Sequence, residues 1–214
     1  MKIYFYKMTN DDGGAPCCTF GRSPLWSLAI CKPRIRSTAD KEDIVIGFAG
    51  LDLDESKGYG MVHIARVKAK LAGRDYYARN SFYRNRGDCI YEWNGAEYRR
   101  RPAARFHAKK DMPRDLGSAP NHPSAWILIS EDFRYFGRNR LEVEWQRYPA
   151  LRRRLENLRQ GHRVYHSAVI REELEKLVNE AFARPFATNR QHTRGRACAH
   201  RDDDHCGVSQ CGGS

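Results

Sequence analysis

The 214-residue sequence has no apolar run close to the roughly 20 residues that a membrane-spanning helix needs. Its first residues, MKIYFYKM, also lack the long apolar core and small-residue cleavage site of a secretory signal. From these two absences we expect a cytoplasmic protein that does not bind a membrane.

Motifs of the common enzyme classes are missing too. The chain contains no nucleophile elbow, no Walker loop, no dinucleotide fingerprint and no deaminase zinc signature. It also has no internal repeats. The sequence therefore leaves open whether the protein is an enzyme.

Seven cysteines are an odd count for a chain without a signal, which favours reduced thiols or a metal site over disulfides. Five potential zinc ligands lie within 14 residues near the end of the chain: Cys198, His200, His205, Cys206 and Cys211. Their spacing matches no standard zinc finger, and Asp202 to Asp204 would crowd the loop. The alternative is a disordered polar tail over residues 184–214 that holds no metal.

The formal net charge is +12, and arginine supplies most of the positive residues. Five Arg and three Asp among the last 31 residues contribute +2, which leaves +10 for residues 1–183. This excess indicates an anionic partner such as a nucleic acid or a nucleotide. The same excess of positive charge would also favour non-specific binding, so the net charge alone does not define a binding site.

Strand signals dominate the first 150 residues. Alternating or β-branched runs predict strands at residues 2–8, 43–48, 61–67 and 125–130, with the second and third forming an antiparallel pair. Asn94-Gly95 lies between two short strand patterns and predicts a hairpin with a type I′ turn.

Helix signals come late. Leu151, Leu155 and Leu158 form one apolar stripe, and Ser167 is placed to cap a second helix over residues 168–182. The pattern predicts an α+β fold, with a mixed or antiparallel sheet and helices packed on it late in the chain. We expect one domain over residues 1–183, followed by the tail.

Three cations lie in the stretch from Trp26 to Phe48. Because Pro33 favours an extended chain before it, we expect Lys32, Arg34 and Arg36 to alternate onto one face of an extended segment. There they could contact phosphates. A solvated strand edge that prevents aggregation explains the same spacing.

Four segments resemble a known family. They are SLAICKPRIR at residues 27–36, GDCIYEW at 87–93, the Phe106-His107 pair and LISEDFRYFGRN at 128–139. In this order they resemble the nucleotide modification associated domain 2 family over residues 2–147. Lys41-Glu42-Asp43 departs from the family's usual Val-Gly-Asp.

The resemblance implies an association with systems that make or handle modified nucleobases, including DNA base modification and phage-defence proteins as partners. Because the resembling segment includes Lys32, Arg34 and Arg36, it favours a functional role for these three residues. By analogy of fold it also implies a barrel-like sheet similar to PUA-like domains, some of which bind modified bases.

Aromatic side chains in and near these segments could stack on an extruded base: Trp26, Trp93, Tyr135 and Phe136. Packing in the core explains them equally. Asp88, His107 and Asp132 are candidate acid–base groups. Turn or capping bonds account for the two aspartates, and a surface position accounts for His107.

The leading hypothesis is therefore a domain that binds nucleic acid or a modified nucleotide. The first alternative is an enzyme acting directly on a nucleotide or nucleobase, and the second is a protein-interaction module with a basic face.

Overall fold

The computed structural model describes residues 1–185, which contain eleven strands and five α-helices. The strands are β1 Ile3–Met8, β2 Cys17–Thr19, β3 Leu25–Leu28, β4 Ile44–Ala49, β5 Met61–Arg66, β6 Ala69–Ala72, β7 Tyr91–Trp93, β8 Tyr98–Arg100, β9 Trp126–Ser130, β10 Asp132–Tyr135 and β11 His162–Arg163. The helices are α1 Pro33–Thr38, α2 Gly73–Tyr76, α3 Met112–Leu116, α4 Pro149–Glu156 and α5 Ala168–Ala183, and 3₁₀ turns span Lys109–Asp111, Gly137–Asn139 and Trp145–Arg147.

The larger sheet has the strand order β10-β5-β4-β1-β11, in which only the β1–β4 pair is parallel. The predicted antiparallel pairing of β4 with β5 is confirmed. Successive side chains of β4 face opposite ways, so Ile44 and Ile46 pack towards α4 and α5 while Val45 packs on the other face. Burial on both faces explains why this strand is apolar throughout.

A second, four-stranded antiparallel sheet of order β2-β3-β9-β6 covers the other face of the first. On its outer side, Ile127 and Ile129 pack against a third layer made of the β7–β8 hairpin, α2 and α3. The fold therefore has four layers, with α4 and α5 at one end and the hairpin layer at the other. The hairpin layer and the junction that follows β3 carry the candidate site.

The predicted α+β class is confirmed, but the barrel-like, PUA-like arrangement is not. Within residues 1–185 the strands form three separate sheets and no closed barrel. The late helices occur as predicted, and the Ser167 side chain accepts a hydrogen bond from the Ile170 amide at the start of α5. Helices α1 to α3 are too short, at four to six residues, to produce a readable apolar stripe.

The predicted hairpin is confirmed, but its type I′ turn is wrong. The Trp93–Tyr98 pair closes a four-residue loop in which Gly95 has φ +101°. The Asn94 side-chain oxygen accepts hydrogen bonds from the Ala96 and Glu97 amides, each at 2.9 Å. Asparagine thus stabilises the loop through its side chain rather than through a left-handed backbone.

The extended geometry predicted for Lys32 to Arg36 is also wrong. Pro33 starts helix α1, a position where its missing N–H costs nothing. The residue before it, Lys32, has φ 43° rather than an extended conformation. Arg34 is exposed while Arg36 is fully buried, so the three cations do not share one face.

Gly47 lies where the larger sheet accommodates a buried polar pair, Tyr6 and His63, joined by a 2.9 Å hydrogen bond. A Cβ at Gly47 would lie 2.6 Å from both His63 Cδ2 and Met8 Sδ. Gly47→Ala should therefore lower the free energy of unfolding by about 1–3 kcal/mol through overpacking, measured by urea denaturation. Gly58→Ala is the control, because its Cβ would meet only the ends of flexible side chains. Equal losses in the two variants would contradict the packing argument.

Within residues 1–185, no helix is both long and apolar enough to cross a bilayer.

Candidate active site

Cys31 lies at the junction between strand β3 and helix α1. Its backbone has φ 56°, a left-handed conformation that costs a non-glycine residue about 1–3 kcal/mol and is concentrated at functional sites. The side chain is partly exposed, unlike those of Cys18 and Cys89, which are buried. Its Sγ lies 3.2 Å from Nε2 of His107. A thiol that is both accessible and next to an imidazole is therefore present at this junction.

His107 lies in the loop between β8 and the 3₁₀ turn that begins at Lys109. The residue has φ 50°, and its carbonyl oxygen accepts a 2.5 Å hydrogen bond from the Arg100 guanidinium. The same guanidinium donates to the Ala104 carbonyl at 2.6 Å, which fixes the loop at two points. The imidazole is held between the thiol on one side and a carboxylate on the other.

That carboxylate belongs to Asp115 on helix α3, whose Oδ2 lies 2.5 Å from Nδ1 of His107. Its oxygens also accept hydrogen bonds from the Tyr91 hydroxyl at 2.7 Å and from the Cys31 amide at 3.0 Å. Burial acts to raise the pKa of this carboxyl, but the hydrogen bond and charge of His107, followed by Tyr91 and Arg36, outweigh it. The net pKa of Asp115 is lowered, which favours the ionised form.

Arg36 connects the backbones that carry the thiol and the carboxylate. Its guanidinium is fully buried and donates to the Cys31 carbonyl at 2.7 Å and to the Asp115 carbonyl at 2.6 Å. Two further hydrogen bonds reach the carbonyls of Ser124 at 2.7 Å and Trp126 at 2.6 Å. Burial lowers the pKa of Arg36, yet a guanidinium stays protonated in proteins. Arg36 is thus a positioning residue for both ends of the site.

The side chains of Cys31, His107 and Asp115 form the arrangement that nucleophilic catalysis by cysteine requires. His107 can take the thiol proton through Nε2, because the hydrogen bond to Asp115 holds Nδ1 and orients the ring. The Asp115 charge also stabilises the imidazolium that results. The arrangement can therefore generate a thiolate on a partly exposed residue.

Of the three acid–base residues predicted from the sequence, His107 alone lies in this arrangement. Asp88 is buried and accepts hydrogen bonds from the Ser27 and Tyr76 hydroxyls, both at 2.6 Å, while burial raises its pKa. Asp132 pairs with Arg66 at 3.1 Å on the larger sheet. Among residues 1–185 the three make no contact with one another. These partners account for both aspartates without catalysis, and their acid–base roles stay predictions.

A group of cations includes Lys32, the residue after Cys31, although its members differ from the predicted ones. The Lys32 Nζ lies 4.6 Å from the centre of the Tyr6 ring. The pKa of His162 is lowered by burial first and then by the charges of Arg34, Arg163 and Lys32, so all three cations act on this imidazole. Arg163 was not predicted from the sequence, because β11 is too short to form a pattern.

The aromatic candidates for base stacking do not form one platform. Trp26 and Tyr135 are buried in the core between the two sheets, and the Tyr135 hydroxyl donates to Asp11 at 2.8 Å. Phe136 packs against the helix-side core, and Trp93 packs on Tyr98 in the hairpin layer. Their roles in stacking stay predictions.

Zinc binding by Cys198, His200, His205, Cys206 and Cys211 also stays a prediction, because these residues lie outside the described part of the chain. Between residues 1 and 185, no group of three or more His, Cys, Asp or Glu side chains could hold a metal ion.

Sequence reasoning missed Cys31 and Asp115. The one signal for Cys31 was a cysteine two residues before Pro33, at the end of an apolar run. Asp115 gave no signal, because it lies in a five-residue helix and acts on residues 8 and 84 positions away.

Comparisons with known proteins agree with the resemblance. The family model described as nucleotide modification associated domain 2 matches residues 1–192. Neither the curated proteins nor the solved structures include a match.

Proposed function

Because the chain belongs to the nucleotide modification associated domain 2 family, we propose that it acts directly on a nucleotide or nucleobase, with Cys31 as its nucleophile. One observation carries the proposal: the imidazole of His107 lies between the Cys31 thiol at 3.2 Å and the Asp115 carboxylate at 2.5 Å. The family relation supports the class of substrate, and the side chains support the chemistry. The enzyme alternative is therefore favoured over binding without reaction.

The reaction class that fits these groups is acyl transfer. His107 Nε2 takes the thiol proton as Cys31 Sγ forms a bond to the carbonyl carbon of an acyl or carboxamide group on the nucleotide. The carbonyl π electrons move to oxygen and return as the bond to the leaving amine or alcohol breaks. His107 gives its proton to that leaving group. Water then attacks the thioester, its proton passes to His107, and the thiol is restored when the C–S bond breaks.

Cations whose charges act on His162 would orient the substrate. Lys32, the residue after Cys31, is one of them, and together with Arg34 and Arg163 it supplies like charges that suit a phosphate. The same cluster is the observation that supports the second candidate, a domain that binds a nucleotide or nucleic acid without changing it.

Alkylation of the thiol tests the nucleophile without a known substrate. We expect iodoacetamide at neutral pH to modify Cys31 faster than Cys18 or Cys89, as read from peptide masses. His107→Gln should slow the modification of Cys31 by about tenfold or more, because the base that removes the thiol proton is lost. His166→Gln is the control, since that partly buried ring contacts the Ile3 carbonyl instead.

Mass spectrometry of nucleosides then tests the reaction. The protein is incubated with nucleotides and oligonucleotides that carry acyl or carboxamide substituents on the base, and the digested products are weighed. Loss of an N- or O-acyl group, or conversion of a carboxamide to a carboxylate, by the wild type but not by Cys31→Ala would support the enzyme. Unchanged masses, together with a Cys31 that reacts no faster than Cys89, would favour the binding domain.

A further inference from the structure

Residues 78–86, which we call the aromatic loop, join helix α2 to the segment that precedes β7. Phe82 at its tip is 88% exposed. Arg79 and Arg84 on either side are exposed as well, and the loop contains no acidic residue. A single exposed aromatic residue is ordinary on a protein surface. An exposed phenylalanine between two cations complements a polyanion that carries aromatic groups, because the ring can stack on those groups and the cations can pair with the negative charges.

The ring of Phe82 contacts a pair of stacked tyrosines, of which Tyr83 is partly buried and Tyr76 is buried. It meets Tyr83 edge-on at 5.4 Å, and Tyr83 stacks on Tyr76 at 4.8 Å. Tyr76 is fully buried, and its hydroxyl donates to Asp88 at 2.6 Å. The exposed ring therefore has a fixed support beneath it.

The backbone of the aromatic loop is held by consecutive turns. The Ser81 amide donates to the Ala78 carbonyl at 3.0 Å, the Arg84 amide to Ser81 at 3.1 Å and the Arg86 amide to Tyr83 at 2.9 Å. The Arg86 side chain ties the loop to the second sheet, with donors 2.7 Å from both the Cys17 carbonyl and the Ser27 hydroxyl. Since the loop is already ordered, binding would cost little further conformational entropy.

We propose that the aromatic loop binds single-stranded nucleic acid. The Phe82 ring stacks on an unpaired base, and Arg79 and Arg84 contact the phosphates on either side. Stacking tolerates any base, because every base offers a π face, so this surface supplies affinity rather than sequence specificity. The loop packs in the same layer as helix α3, which carries Asp115. The inference does not depend on whether Cys31 is catalytic.

Fluorescence anisotropy with a labelled single-stranded 12-mer of mixed sequence tests the stacking contact. Phe82→Ala should weaken binding by about 5- to 100-fold, the range expected for losing one base–aromatic stack. Tyr165→Ala is the matched control, because Tyr165 is 87% exposed but lies beside β11 on the larger sheet. Equal affinities for Phe82→Ala and the wild type would overturn the proposal, as would equal losses in the two variants.

The salt dependence of the same assay tests the two cations. Replacing Arg79 and Arg84 by alanine should lower the slope of log K against log salt by about 1.4, because two phosphate contacts are lost. The control is the Arg153→Ala, Arg154→Ala double variant, which removes the same charge from exposed positions on α4. Equal changes in slope would show that net charge alone is responsible and would overturn the assignment.

The two proposals can fail separately. Alkylation of Cys31 needs no nucleic acid, so Phe82→Ala should leave its rate unchanged.

Discussion

Replacing Asp115 with asparagine should lower the turnover of the nucleotide substrate by about 10³- to 10⁴-fold while the fold persists. The amide oxygen can still accept from the Cys31 amide, and the NH₂ group in place of Oδ2 can donate to the Tyr91 hydroxyl oxygen, so hydrogen bonds that position helix α3 remain. What is lost is the negative charge next to Nδ1 of His107. That charge fixes the tautomer in which Nε2 can take the thiol proton, and it stabilises the imidazolium that forms. Turnover measured by nucleoside mass, with circular dichroism to check folding, gives the result.

Asp132→Asn is the sharpest control for this prediction. Like Asp88, Asp132 was predicted from the sequence to be an acid–base group. Its partner in the structure is Arg66 on the larger sheet. We expect its turnover to stay within about twofold of the wild type, since surface substitutions away from a site have small effects. A slow Asp132→Asn with a normal Asp115→Asn would show that the Cys31, His107 and Asp115 arrangement is not the reacting one.

The second large effect is on stability. Arg36→Met should lower the free energy of unfolding by about 3–5 kcal/mol, because it removes a buried charge whose partners stay buried. The carbonyls of Cys31, Asp115, Ser124 and Trp126 would each lose a donor that now lies at 2.6–2.7 Å. Urea denaturation at 25 °C gives the difference, provided that the unfolding slope stays the same.

Arg34→Met tests whether this loss comes from position rather than from charge. Arg34 is two residues earlier on the same helix and is exposed, so we expect a change within about 0.5 kcal/mol. If both variants lose the same stability, the four carbonyl contacts of Arg36 contribute nothing beyond what a surface cation does.

Much of the scaffold could be predicted from the sequence, because local patterns report on local structure. Strands β1, β4, β5 and β9 were visible as β-branched or aromatic runs, and α5 as an apolar stripe preceded by Ser167. The family resemblance was also visible in short segments, and the family model confirms it. The joining of strands into two packed sheets was not visible, because pairings such as β3 with β9 connect residues about 100 positions apart.

The site could be predicted only in part, for a related reason. His107 was selected because it lies in a recognisable segment, but its partners lie 76 residues before it and 8 after it. Arg36 was assigned to the surface because arginine is almost never fully buried unless its donors are all paired. Its pairing depends on carbonyls up to 90 positions away, and no local pattern records them.

The contacts of Arg36 also bear on where this chain can change in length. The Arg36 guanidinium donates hydrogen bonds to main-chain carbonyls on both sides of residues 117–123. These carbonyls belong to Asp115 before the segment and to Ser124 and Trp126 after it. The two anchor points stay together whatever the segment between them does, and enlarging a surface loop carries only a small entropic cost. Insertions or deletions among relatives should therefore accumulate between these anchors, and a foreign peptide placed there would leave the distance from Asp115 to Cys31 intact.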